Sequence, residues 1–220
     1  MIALWFFLAG LPAAYALDRA ILQLSDTWRL DGDESDGSLP WQAGPWPRRV
    51  RLAVVALAPF LMAVAGWRFD LPQAAAVCVL VLALLACTGT DLIRFRVPNV
   101  ITYPGTALAL VAALAMPGGD ITGAVAAAAL GGGAFLVMAI VSRGGIGLGD
   151  VKLAVLIGAA LGLPGAYQAL LFGILAGGLG ILILFLAGVV SRRQGVPYAP
   201  FLALAAVAVV LMRGAVFAPL

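Results

Sequence analysis

Apolar residues in this chain fall into long blocks, and charged residues are largely confined to the gaps between them. A membrane-crossing helix needs about 20 mainly apolar residues. By that measure the pattern predicts eight spans, approximately residues 1–17, 52–67, 71–87, 100–116, 121–142, 148–163, 166–190 and 198–217. The first is short, and the sixth reaches full length only if the glycine-rich stretch before it dips into the membrane. The expected fold class is an all-α polytopic membrane protein of about eight transmembrane helices.

The first block also has the outline of a signal peptide, since Ala14-Tyr15-Ala16 offers a small-residue cleavage site. No positive charge precedes it, and Arg19 follows it, so it reads as a retained span.

Composition sharpens the class. Hydrophobic residues make up 64% of the 220 and charged ones 10%, against roughly 25% charged in soluble domains; mean hydropathy is +1.10. There is no histidine, and the two cysteines, Cys78 and Cys87, sit in one apolar run without the paired spacing of a metal site. Zinc, histidine-based catalysis and a disulfide framework are therefore not expected. The net charge of +3 comes from loop arginines and points to membrane orientation rather than to nucleic acid.

Those basic residues are unevenly placed. Arg19, Arg29, Arg48, Arg49 and Arg51 fall between spans one and two, Arg94 and Arg96 between three and four, Arg143 and Lys152 between five and six, and Arg192 and Arg193 between seven and eight. Only Arg68 and Arg213 lie on the other side. The positive-inside rule then puts the odd-to-even loops in the cytoplasm and both termini outside. The one sizeable loop, 18–51, contains an acidic, turn-rich segment, 31–37, expected to be mobile. It is followed by Trp41 and Trp46 among prolines and arginines, a segment suited to the headgroup level.

Two acids stand apart from the rest. Asp91 closes the third apolar block, and Asp150 follows the run Gly144-Gly145-Ile146-Gly147-Leu148-Gly149 at the mouth of the sixth. Both belong to the predicted cytoplasmic face, and charge at membrane depth is a functional signal by default. The plainer readings are an N-cap for Asp150 and a solvated loop acid beside Arg94 for Asp91. Brought together, two carboxylates can hydrolyse a peptide bond, one activating water while the other donates to the carbonyl oxygen. Helix ends suggest the roles, because an N-terminal end favours negative charge and a C-terminal end disfavours it. On that ground Asp150 is the base and Asp91 the acid, although a coupled pair titrates as a unit. Gly147 and Gly149 would give the backbone unusual conformations and let an extended substrate approach Asp150. Gly158-x-x-x-Gly162 and Gly173-x-x-x-Gly177 read as helix packing.

Gly147-Leu148-Gly149-Asp150-Val151-Lys152-Leu153 resembles the GxGDxKL signature of the type IV prepilin peptidases, membrane-embedded aspartic proteases of bacteria. Asp91 to Pro104, with Pro98-Asn99 and then Ile101-Thr102-Tyr103-Pro104, is similar to the family's other motif. Val196-Pro197-Tyr198-Ala199-Pro200-Phe201-Leu202 resembles the Pro-x-x-Pro-Phe segment that opens its last helix. The resemblance implies a GxGD aspartic protease core that cuts the short basic leader from prepilin or pseudopilin substrates after a glycine. Cleavage would occur at the cytoplasmic face of the bacterial inner membrane. It implies Asp91 and Asp150 as the catalytic pair, with Gly147, Gly149, Lys152, Pro98, Asn99, Pro197 and Pro200 in support, and no metal or organic cofactor. Oligomeric state is not indicated.

Long members of that family carry two Cys-x-x-Cys pairs between the first two spans, associated with zinc and with methylating the cleaved product. The 18–51 loop has no cysteine. The expected division is therefore a reduced N-terminal region, 1–51, and a membrane-embedded peptidase domain, 52–220, and the missing cysteines put methyl transfer in doubt. A proton-coupled transporter using Asp91 and Asp150 as relay carboxylates is the alternative, although carriers usually bind near the midplane. A serine–lysine peptidase built on Ser142 and Lys152 is a weaker one, since Ser142 more naturally ends a helix.

Overall fold

The computed structural model describes residues 2–30, 46–142, 145–191 and 195–213. The acidic segment 31–37, Trp41, Arg143, Arg192, Arg193 and Phe217 lie outside these. The described residues form seven helices: α1 (Ile2–Leu30), α2 (Trp46–Arg68), α3 (Leu71–Arg94), α4 (Asn99–Ala115), α5 (Ile121–Val141), α6 (Leu148–Leu186) and α7 (Ala199–Arg213). Among them α1, α2, α3, α5 and α6 are long and apolar enough to cross a membrane, while α4 and α7 are shorter.

Two expectations change. The sixth and seventh spans form the single 39-residue α6, interrupted at Gly162 and Leu163. Gly162 has φ 58° and ψ −176°, a combination open essentially only to glycine. Pro164 follows, with no backbone N–H to offer the preceding turn. Hydropathy marks this break correctly, but the helix resumes too soon to leave a loop.

The second change is at the N-terminus. α1 does not stop at residue 17 but runs on to Leu30, so much of the expected loop is helix. Asp18 and Arg19 end the apolar run without ending the helix. Asp18 Oδ1 lies 2.6 Å from Arg51 Nε of α2, and the Arg19 guanidinium sits 5.8 Å from the Tyr15 ring centroid.

The bundle closes around α3. Its buried face includes Val77, Val81 and Leu84, and it packs against α1, α2, α4 and α7. On the other side α6 packs against α4, α5 and α7, burying Leu153, Leu156 and Ile157. Small residues let these helices meet closely: a Cβ on Gly158 would stand 2.6 Å from Ala128 Cα of α5. Large apolar side chains such as Trp5, Trp67 and Leu186 point outward, as suits a surface solvated by lipid.

Candidate active site

α3 ends one turn after Asp91. Phe95 closes the helix in the left-handed conformation, φ 54° and ψ 34°, with its N–H on the Asp91 carbonyl at 2.8 Å. Such a φ is uncommon for a bulky residue. It turns the chain sharply through Arg96 and Val97 to Pro98, which caps α4. Asn99 opens α4, and Thr102, fully buried, donates back to the Pro98 carbonyl at 3.3 Å.

Asp150 lies in the first turn of α6, two residues inside its start. Gly147 is the cap residue, and its N–H donates to Asp150 Oδ2 at 3.2 Å. Glycine has no side chain to return the favour, so only this half of a capping box exists. One carboxylate oxygen is thus engaged at the helix start, but from the third helical position: the N-cap is Gly147, not Asp150 as the sequence suggested.

Both carboxylates are buried, Asp91 at 6% exposure and Asp150 at 8%, yet both line one cavity of about 490 Å³. Phe95 to Val100, Gly147 to Gly149 and Lys152 complete most of its wall, and Leu24 reaches it from α1. Leu24 belongs to the part of α1 beyond the expected span.

Asp91 has a partner that no motif announces. Its Oδ2 accepts the backbone N–H of Ala199 at 3.0 Å, from the first residue of α7. This N–H is one of those a helix N-terminus leaves without an internal acceptor. Asp91 therefore faces a helix N-terminus, as Asp150 does, and the helix-end argument that made Asp150 the base and Asp91 the acid no longer separates them. The available signal was Pro200, since a proline one or two residues into an apolar run marks a helix start. Pro197 is buried in the turn before α7, and Pro200 stands in its first turn. Neither proline lines the cavity; they serve the turn that presents Ala199.

The glycines need a different account from the expected one. Gly147 has φ −78° and ψ 151°, ordinary extended backbone. A Cβ on it would meet nothing closer than Asp150 Oδ2 at 3.6 Å. Gly149 gives a close approach: a Cβ there would stand 3.0 Å from both Cβ and Cγ2 of Val97, tight enough that one side must yield. It lets the start of α6 press against the α3–α4 turn, which draws the two acid-bearing segments together.

Lys152 joins α6 to α4. Its Nζ donates to Asn99 Oδ1 at 2.7 Å and lies 5.7 Å from the Tyr103 ring centroid. Ser142 is occupied at the end of α5, its Oγ 3.3 Å from the Ala139 carbonyl and accepting from Ile146 N–H at 3.2 Å. The serine–lysine alternative thus finds its two residues engaged with other partners.

Residues 78–185 match the family described as the type IV leader peptidase family. The "Prepilin leader peptidase/N-methyltransferase" of Bacillus subtilis (strain 168) is 32% identical over 144 residues, 65% of this chain and 58% of that protein. The chain thus matches little more than half the length of that relative. No solved structure matches.

Proposed function

We propose, from the match of residues 78–185 to the type IV leader peptidase family, that the chain is a membrane-embedded aspartic endopeptidase in which Asp91 and Asp150 cleave the leader of prepilin-like substrates. One observation carries the reading. The two acids, remote in sequence and sheltered from bulk solvent, line the same cavity at one end of the bundle.

The chemistry follows from two close carboxylates sharing one proton. The ionised group takes a proton from water, whose oxygen attacks the scissile carbonyl carbon. The protonated group donates to the carbonyl oxygen as the C–O bond becomes single. As the tetrahedral intermediate collapses, the C–N bond breaks, the departing nitrogen takes the proton held by one carboxyl group, and a hydroxyl of the diol returns its proton to the other carboxylate as C=O re-forms. Burial strengthens each electrostatic interaction along this path. The polar cavity gives water and an extended substrate strand access, and the uncrowded backbone at Gly147 offers that strand a flank.

The supporting residues hold the walls. Gly149 sets the approach of α6 to the α3–α4 turn, and Pro98 and Asn99 start α4. Lys152 ties α4 to α6. Pro197 and Pro200 shape the start of α7. The arginine distribution supports a cytoplasmic opening, and the family supports the bacterial inner membrane. The cysteine-free segment between α1 and α2 supports a product left unmethylated.

The test is cleavage of a synthetic prepilin-like substrate, with a basic leader and a glycine at the cut site, in membranes holding wild type, Asp91→Ala or Asp150→Ala. Mass spectrometry of the product reads the cut site and any methyl group. Wild-type cleavage with both variants inert is expected. Equal cleavage by all three would overturn the reading of Asp91 and Asp150 as the catalytic pair.

A further inference from the structure

Three features of α7 converge on the Ala199 N–H. Tyr198, immediately before it, lays its ring in a notch on α6: a Cβ on Gly177 would stand 2.5 Å from Cε2 and 2.7 Å from Cζ. The Tyr198 hydroxyl donates to the Ile174 carbonyl at 3.2 Å. One turn on, Leu202 sits against Gly173, where a Cβ would meet its Cδ2 at 2.7 Å and its Cα at 3.2 Å. The start of α7 is thus held in rotation and height by the second half of α6.

The first half of α6 carries Asp150. Both halves rest on one residue of α5, since a Cβ on Gly131 would meet Leu170 Cδ1 at 2.7 Å and the Ala154 carbonyl oxygen at 3.4 Å. The break at Gly162 therefore does not leave the halves independent.

We infer that Tyr198, seated in the Gly177 notch and bonded to Ile174, is a positioning residue that fixes the Ala199 N–H against the Asp91 carboxylate, so that α6 governs the placement of both acids. The inference rests on the proposed role of Asp91. It assigns a duty to a tyrosine that does not line the cavity, and it makes the distance between the carboxylates a property of α6–α7 packing. Displacing the notch would move the Ala199 N–H away from the Asp91 carboxylate, together with the backbone of Tyr198, which also hydrogen-bonds to it.

The experiment uses the full chain in membranes and the same synthetic substrate, with kcat and KM measured separately. Ala199→Pro removes the N–H at a helix position that tolerates proline. Gly177→Ala crowds the ring, and Tyr198→Phe removes only the hydroxyl bond. Gly178→Ala, at an exposed site with nothing within 4 Å, is the control. For Ala199→Pro and Gly177→Ala, kcat is expected to fall about 10- to 100-fold with KM within about threefold, as misplacement of a reacting group predicts. Tyr198→Phe should cost about three- to tenfold in kcat, the worth of one neutral hydrogen bond.

Wild-type kcat in folded Ala199→Pro and Gly177→Ala, or a rise in KM alone, would overturn the inference. Should Ala199→Pro not fold, the near-isosteric Tyr198→Phe and Gly177→Ala decide. Asp91→Ala and Asp150→Ala run alongside: if they cleave, the peptidase reading itself has failed and the inference falls with it. If they are inert while the positioning variants match wild type, only the inference is lost.

Discussion

Lys152 and Asn99 are joined by a 2.7 Å hydrogen bond between α6 and α4, with the Lys152 ammonium beside the Tyr103 ring. The bond crosses the cavity wall next to Asp150. Lys152→Met keeps the length of the side chain and loses the donor. Because the pair is solvent-accessible, kcat/KM should fall only about three- to tenfold. Unfolding stability should change by less than about 1 kcal/mol. Steady-state cleavage and denaturant titration of the same preparations check both figures.

Asp150 serves a cap and, in the proposal, a reaction, and one substitution separates them. Asp150→Asn keeps a carbonyl oxygen for the Gly147 N–H but cannot take up a proton from water. Stability should hold within about 0.5 kcal/mol, the scale of cap exchange among good capping residues. The rate of cleavage should drop about 10²- to 10⁴-fold, the usual contribution of a general acid–base group. Single-turnover cleavage measured beside thermal unfolding distinguishes the two roles.

The contact between Gly149 and Val97 makes a compensation prediction. Gly149→Ala should slow cleavage about 10- to 100-fold by pushing the start of α6 away from the α3–α4 turn. Val97→Ala in the same chain removes the Cγ atoms the new methyl would meet and should restore much of the rate. If the double variant is no faster than Gly149→Ala alone, space is not what Gly149 provides.

At the opposite end of the bundle, Asp120 caps α5. Its Oδ1 accepts from Thr122 Oγ1 at 2.6 Å and from Gly123 N–H at 2.8 Å, and these bonds, the Thr122 one foremost, hold its carboxyl below the ordinary carboxylate range. A group more acidic in the folded than in the unfolded chain stabilises fully above its unfolded pKa. That contribution is lost as pH falls from there through the lower folded value. Asp120→Ala should therefore lower stability at neutral pH, and its difference from wild type should shrink as pH drops below about 4. Denaturant midpoints across that range measure it.

Much of this was legible in the chain. Charge inside apolar blocks is costly, so Asp91 and Asp150 stood out, and the glycines before Asp150 located the start of α6 at Leu148. What stayed hidden depended on partners. Hydropathy stops at Asp18, whereas the helix continues to Leu30, with Asp18 meeting Arg51 across the bundle. Lys152 was visible as a motif residue, but its bond to Asn99 follows from the packing of α4 on α6. Gly149 was visible as glycine, and only the position of Val97 explains why.

The contact between Asp91 and Ala199 differs from all of these, because its donor is main chain. Any small residue at 199 would supply the same N–H, so the contact leaves no signature in side-chain identity. Substitution can drift there while the geometry persists, proline excepted. A search of related chains by matched residues would pass over the position, whereas one that asks which helix begins beside the first acid would find it.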